Sequence, residues 1–244
     1  MKRTLLIVML TVVVYPGLIQ AAPVSYMGKL AYGGAGANGN LSVNSVGPDA
    51  GWLSPTISVS WRVDNTTTPG LWHYEYTISV RDGGNLSTDI QYVILETSAT
   101  FSWDDLKSVG STPADWIAGA EVNSFKTWEN RNLPSNVYGI LFSTAAVDPT
   151  ALTIRFDSDR VPVWGDIYAR SFTYAGSYNT LTNAGWEPFV DDNDPTDPPA
   201  SGSILNHILV PDTKSIPPMV PVPGAALLAT LGISLAGRLR LRCW

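Results

Sequence analysis

Cysteine is almost absent from this chain of 244 residues: the single thiol is Cys243, next to the carboxyl terminus. One cysteine cannot close an intrachain disulfide, so a disulfide-stapled fold is excluded. Histidine is nearly as scarce, since His73 and His207 are the only two. Structural zinc sites need clustered cysteines and histidines, and a cysteine nucleophile needs an activating neighbour. The sequence offers neither arrangement, so both chemistries are excluded.

Charged residues are also few, at 15% of the chain, and they are unevenly distributed. Five of the 15 basic residues lie in the terminal segments, whereas all 21 acidic residues lie between them. The intervening body therefore carries 10 basic and 21 acidic residues, a formal charge of −11. So acidic a surface repels nucleic acid and anionic membranes, and we expect neither as a partner of the body.

The amino-terminal segment has the layout of a secretory signal peptide. Two basic residues at positions 2–3 precede an apolar run at 5–14, and small residues follow at Ala21 and Ala22. The run is shorter than the ~20 residues of a membrane-spanning helix. The order of basic, apolar and small residues predicts a signal peptide over residues 1–21, read by the Sec export machinery. We expect cleavage after Ala21; an uncleaved anchor is the alternative.

The carboxyl-terminal segment combines a proline-broken stretch, an apolar run and a basic end. The stretch consists of Val220, Pro221, Val222, Pro223 and Gly224, and the basic end of Arg238, Arg240 and Arg242. The apolar run at 224–237 measures about 21 Å as a helix, against a hydrocarbon core of about 30 Å. It spans a membrane only if the flanking residues also enter the hydrocarbon core and the arginine side chains extend (snorkel) to the polar interface. We expect the arginines on the cytoplasmic side and residues 23–220 outside; a buried terminal helix is the alternative.

This tail resembles the PEP-CTERM sorting signals of exported bacterial proteins. Those signals carry a Pro-Glu-Pro-like motif, one apolar helix and an arginine-rich terminus, in the order found at residues 220–223, 224–237 and 238–242. Val222 stands where the family usually has glutamate, and the arginines alternate with leucines. The segment 156–168 also resembles a segment of other exported proteins with this tail.

The resemblance implies how the chain is processed, anchored and finally located. An exosortase, a membrane-embedded cysteine transpeptidase, is the expected processing partner. The protein would be anchored transiently in the inner membrane with its carboxyl terminus in the cytoplasm. It would then pass to the cell envelope, the cell surface or the extracellular matrix. The family implies a shared sandwich domain but no known chemistry for it.

Between the two ends, the pattern predicts strands. Ile57, Val59, Trp61 and Val63 alternate with polar residues, and residues 72–80 alternate likewise after a turn-rich connection. Two such runs predict an antiparallel hairpin. The continuous apolar run at 92–95 predicts a strand covered on both faces. Ser102 is expected to cap a short helical turn.

Further strands are expected at 137–142, 152–156, 161–174 and 204–210, the last of them returning to the sheet. Gly165, inside the third, predicts a bulge or a close backbone approach. Many short strands separated by turns predict an all-β fold, an antiparallel β-sandwich or jelly-roll-like domain.

The predicted organisation has four parts. Residues 1–21 are the signal peptide and residues 22–210 the exported β-sandwich domain. Residues 211–223 form a proline-rich tether that lifts the domain off the membrane, and residues 224–244 form the membrane or sorting helix with its basic tail.

Calcium is the one metal that the sequence suggests. Asp191, Asp192, Asp194 and Asp197 offer several carboxylate oxygens within seven residues, which suits Ca²⁺. The loop lacks the glycine and closing glutamate of an EF-hand, and Pro195 interrupts it. A solvated acidic loop without any cofactor is the preferred interpretation, and a calcium site the alternative.

Catalytic motifs are missing from the sequence. Neither histidine belongs to a spaced motif and no Gly-x-Ser-x-Gly elbow occurs, which argues against a Ser-His-Asp triad. The acidic groups at 104–105, 157–159 and 191–194 could serve glycoside hydrolysis, although acids in turns are usually solvated or caps. Five tryptophans near predicted turns could present platforms to sugars, although packing is the simpler role for each. They are Trp52, Trp103, Trp116, Trp128 and Trp186.

These patterns favour a non-enzymatic exported protein that its terminal signals direct to the cell envelope, surface or matrix. The first alternative is a carbohydrate-binding surface domain, with or without Ca²⁺, whose partner is an extracellular polysaccharide. A glycoside hydrolase is the second alternative.

Overall fold

The computed structural model describes residues 23–32, 39–47, 51–52, 57–80, 90–114, 116–144, 151–172, 175–186 and 199–211. They belong to one compact unit, Pro23–Met219. Their regular structure is all-β, as predicted, with 13 strands and one short 3-10 helix. Within these ranges no helix is long and apolar enough to cross a membrane. The predicted signal peptide, sorting helix, and most of the tether and acidic loop lie outside the described residues.

Eleven of the described strands form one sheet, and two form a separate ribbon. The sheet strands are β1 (Ser25–Ala31), β2 (Gly39–Val46), β3 (Ile57–Asp64), β4 (Trp72–Val80), β5 (Ile90–Glu96), β6 (Lys107–Thr112), β7 (Ile117–Phe125), β8 (Val137–Thr144), β9 (Ala151–Ser158), β11 (Ile167–Ser171) and β12 (Tyr178–Asn183). The ribbon strands are β10 (Pro162–Gly165) and β13 (Ile208–Pro211). The spatial order in the sheet is β6-β9-β4-β3-β1-β2-β12-β11-β5-β8-β7.

The sheet has two halves that meet at β1 and β2. These two strands pair in parallel, whereas the other pairings among the described strands are antiparallel. Phe142 of β8 stacks on Phe156 of β9 with ring centroids 5.7 Å apart, although these strands belong to opposite halves. The sheet therefore curves back on itself and encloses a core that both halves share.

The predicted hairpin is confirmed, and it supplies much of this core. β3 and β4 pair in an antiparallel register from Ile57↔Val80 to Asp64↔His73. The alternating apolar side chains of β3 are buried, as are Tyr74 and Tyr76 of β4. Strand β5 is buried along nearly its whole length, which confirms the prediction of a strand covered on both faces.

The predicted single strand at 161–174 is wrong, because the chain changes partners at Asp166. β10 pairs with β13, whereas β11 pairs with β5 and β12. The backbone approach expected at Gly165 is not what the structure shows, because side chains lie against this glycine: an added Cβ would lie 2.5 Å from a Val210 methyl group and 3.0 Å from Glu96 Oε2. Glycine leaves room there for the Val210 side chain of the facing ribbon strand.

The last predicted strand, at 204–210, is also partly wrong. Its regular part begins only at Ile208, and it joins the ribbon instead of the large sheet. Leu205 and Asn206 have φ values of 49° and 64°, so a left-handed turn interrupts the extended run. The ribbon packs against β1, β3 and β5, so that both halves of the sheet contact it.

The turn after β3 is held by the buried carboxylate of Asp64. Its oxygens accept hydrogen bonds from the backbone N–H and hydroxyl groups of Thr66 and Thr67, at 2.7–3.1 Å. Burial alone would raise the pKa of Asp64, but these four bonds outweigh it and lower the pKa to about 2. The turn is therefore built around an ionised aspartate.

Acid should weaken this turn. A carboxyl group with a lowered folded-state pKa contributes stability above its unfolded pKa and loses it as the pH falls toward the folded value. The contribution of Asp64, about 2 kcal/mol, should be complete at neutral pH and disappear between pH ~4 and ~2. Chemical denaturation of wild type and Asp64→Asn across this range measures it. The exposed Asp104→Asn is the control, and a gap between wild type and Asp64→Asn that stays constant with pH would contradict the prediction.

Candidate functional site

Most site residues predicted from the termini and the acidic loop lie outside the described residues. This applies to the cleavage positions Ala21 and Ala22, the sorting motif at 220–224, the three arginines and the four loop aspartates. Those predictions therefore stay predictions. In the described ranges no group of three or more His, Cys, Asp or Glu side chains is arranged to hold a metal ion.

His73 has an acidic partner on the neighbouring strand. Its Nδ1 lies 2.7 Å from Oδ1 of Asp157 on β9, and Thr68 donates its hydroxyl hydrogen to Oδ2 of the same carboxylate at 3.0 Å. A catalytic triad would add a serine hydroxyl on the far ring nitrogen. Within the described part of the chain, no hydroxyl group hydrogen-bonds to His73. The arrangement ties the β3–β4 turn to β9.

The carboxylate pairs weighed for hydrolysis hold loops together. Arg160 donates to Asp105 at 3.0 Å, and Lys107 donates to Asp159 at 3.2 Å. Burial would raise the pKa of Asp105, but hydrogen bonds from Arg160 and Ser102 outweigh it, so its pKa is lowered. A glycosidase acid needs the opposite shift, because it must stay protonated to donate. Asp105 is therefore suited to anchoring and not to proton donation.

A buried polar cluster joins the ribbon to the large sheet, and the sequence did not reveal it. Glu96, Asp166, Asn183 and His207 are each at most 2% exposed. Asp166 donates its backbone N–H to Glu96 Oε2 at 2.8 Å, and its carboxylate accepts a hydrogen bond from the Asn183 amide. His207 Nδ1 lies 3.2 Å from the same carboxylate.

This cluster is enclosed, so no substrate can reach it from solvent. Its members come from β5, the β10–β11 junction, β12 and the residue before β13. Asn183 also accepts the backbone N–H of Ile167 at 3.0 Å, which fixes where β11 begins. We assign it a structural role, since the hydrogen bonds of Asp166 to Glu96 and Asn183 join separate elements of the fold in one buried place.

The five turn tryptophans divide by environment. Trp52 and Trp116 are buried in the core, and Trp186 is partly buried with its indole N–H donated to Ser135 at 2.8 Å. Trp103 and Trp128 are 52% and 80% exposed. Packing is therefore the role of the first three, and only Trp103 and Trp128 present an indole face to solvent.

Trp103 borders a trough at the seam of the sheet. The short helix that carries it, Trp103–Asp105, follows Ser102, whose backbone N–H and hydroxyl both donate to the Asp105 carboxylate. This confirms the expected helical turn at Ser102. The trough has a volume of about 380 Å³, and its lining consists of Trp103, Val109, Gly110, Ser111, Ile117, Ala118, Gly119 and Ala120.

The seam lies between the two ends of the large sheet. Among the described strands, β6 pairs with β9 alone and β7 with β8 alone, so each has one edge of backbone N–H and C=O groups without a neighbouring described strand. Both strands are irregular here, with register shifts between Lys107 and Gly110 and between Ile117 and Gly119. Ser111 bridges one end, since its hydroxyl oxygen accepts the Ile117 N–H at 3.3 Å.

Comparison with known proteins gives no family for this chain. No family model matches it, and neither a curated protein nor a solved structure matches it. A role for the trough beside Trp103 therefore depends on its own geometry.

Proposed function

We propose that this chain is a non-enzymatic exported protein that its terminal signals carry out of the cytoplasm and direct to the cell envelope, surface or extracellular matrix. The observation that carries the proposal is the order of features at the carboxyl end. A Pro-Val-Pro stretch, an apolar run and three arginines follow one another after an amino-terminal leader. An exosortase-type enzyme is the proposed processing partner.

The described β domain supports this proposal indirectly. It is stabilised by strand pairing and a core rich in aromatic residues, in a chain whose only cysteine is Cys243. Such a core does not depend on the redox state of the compartment. We propose further that the domain is a β-sandwich of jelly-roll-like type, because the two halves of its sheet share one core across the Phe142–Phe156 contact.

The sorting role is tested by transplanting the tail. Residues 211–244 are fused to a secreted reporter, which is followed by size and by fractionation in an exosortase-containing bacterium. We expect membrane retention first and then a shorter, released product. Two matched variants separate the features: Pro221→Ala with Pro223→Ala should block shortening, and replacing the three arginines by glutamine should weaken retention.

The controls define the contrary outcome. The same fusion in a strain without the processing enzyme should stay at full length in the membrane. A reporter that is secreted at full length in both strains, with or without the tail, would refute the sorting role.

A further inference from the structure

The trough at the sheet seam contains a solvent-exposed aromatic ring. Indole rings bury much apolar area when they pack, yet Trp103 stays 52% exposed beside the 39% exposed Val109. The remaining lining is small or apolar, and no charged side chain belongs to it among the described residues. The floor therefore suits the apolar face of a ligand.

The walls of the trough suit hydroxyl groups. The edges of β6 and β7 that face no other described strand offer backbone donors and acceptors beside the lining, apart from the Ile117 N–H, which Ser111 accepts. A sugar ring has a C–H face that can lie on an indole and a rim of hydroxyls that both donate and accept hydrogen bonds. Sites with an apolar lining and a few directed polar groups are the usual form of a small-ligand pocket.

We propose that this trough binds one chain of a neutral polysaccharide, with Trp103 as the stacking platform. This goes beyond the proposed sorting role and does not depend on the tail. The exposed carboxylates Asp104 and Glu121 directly follow the lining residues Trp103 and Ala120 in sequence, and the body has a charge of −11. Both features repel polymers with uronate, sulfate or phosphate groups.

The ligand is a chain because the trough is open to solvent. Trp103 and Val109 both remain exposed, so neighbouring sugar units can continue past the lining. A β-strand from another protein is the competing occupant of a free sheet edge. The irregular stretches at Lys107–Gly110 and Ile117–Gly119 disfavour it, because bulges disrupt the regular ladder that strand addition requires.

Gly110 makes a direct test possible. An added Cβ at this position meets no atom within 4 Å, and the residue does not have a positive φ. Gly110→Leu should therefore fill the trough without disturbing the fold. Trp103→Ala removes the platform, and Trp128→Ala removes an exposed tryptophan outside the trough lining as a matched control.

Binding is measured with the full-length chain purified in detergent, on cellulose, xylan, mannan and chitin, with alginate as the anionic polymer. Wild type should bind at least one neutral polymer and not alginate. Trp103→Ala and Gly110→Leu should each weaken that binding at least about tenfold, and Trp128→Ala should change it less than twofold. Thermal midpoints within a few degrees of wild type verify that the variants fold. If Gly110→Leu does not fold, Trp103→Ala alone tests the proposal.

Three outcomes would overturn the proposal. The first is no binding of wild type to any of the neutral polymers. The second is an equal loss in Trp103→Ala and Trp128→Ala, which would indicate adsorption through any exposed indole. The third is self-association lost in Gly110→Leu without polysaccharide binding, which would assign the seam to a strand of a second copy. Each result is independent of the reporter experiment on the tail.

Discussion

Phe156→Ala should lower the free energy of unfolding by about 3–5 kcal/mol, the range for truncating a buried phenylalanine. Phe156 is fully buried, and its ring lies 5.1 Å from that of Tyr74 and 5.7 Å from that of Phe142. These partners belong to opposite halves of the sheet. The substitution therefore opens a cavity where the two halves meet.

Chemical denaturation with a thermal melt checks this expectation. For a domain of this size the loss corresponds to a decrease in the melting temperature of about 10 °C. Phe156→Leu should recover part of the loss, because it refills part of the cavity. Trp128→Ala, at an 80% exposed position, should stay within about 0.5 kcal/mol of wild type. If Phe156→Ala and Trp128→Ala lose similar amounts, the two halves do not share a core.

Asp166→Ala should destabilise the domain by roughly 3 kcal/mol or more. The Asp166 carboxylate accepts from Asn183 and lies 3.2 Å from His207 Nδ1, and all three residues are fully or almost fully buried. Its removal leaves the Asn183 amide without its acceptor and the buried His207 without its neighbouring carboxylate, and losses of this kind cost about 1–3 kcal/mol per group. The ribbon should then detach from the large sheet before the rest of that sheet unfolds.

Hydrogen exchange at residues 208–211, together with denaturation, tests this expectation. The matched control is Asp159→Ala, an exposed carboxylate whose partner Lys107 is partly exposed. Ion pairs of this kind contribute about 1 kcal/mol or less. A loss in Asp166→Ala as small as that of the control would show that the buried cluster does not hold the ribbon.

The elements that could be predicted from the sequence are those with strong local periodicity. β3 and β4 alternate cleanly around a turn, and β5 is continuously apolar, so their strand character follows from their own residues. β2 and β6 are rich in glycine, serine and asparagine, and β6 is half-exposed along much of its length. Their place in the sheet depends on pairing with distant strands, which no local pattern reports.

The candidate sites could not be predicted for the same reason, since they depend on contacts between distant parts of the chain. The Asp166 cluster brings together residues from four separate segments, and the glycine at 165, against which the Glu96 and Val210 side chains lie, was its one local sign in the sequence. Five tryptophans looked alike in sequence. Two are exposed because of where the sheet ends and where a loop turns, and Trp103 borders a trough because β6 and β7 do not pair.

Export of the body and sorting through the tail underlie the proposed function. The most direct test is the intact mass of the protein isolated from its native cell, with the compartment recorded. We predict a product outside the cytoplasm that lacks residues 1–21 and, after processing, the apolar run and its arginines. A cytoplasmic product that retains both terminal segments would contradict the account.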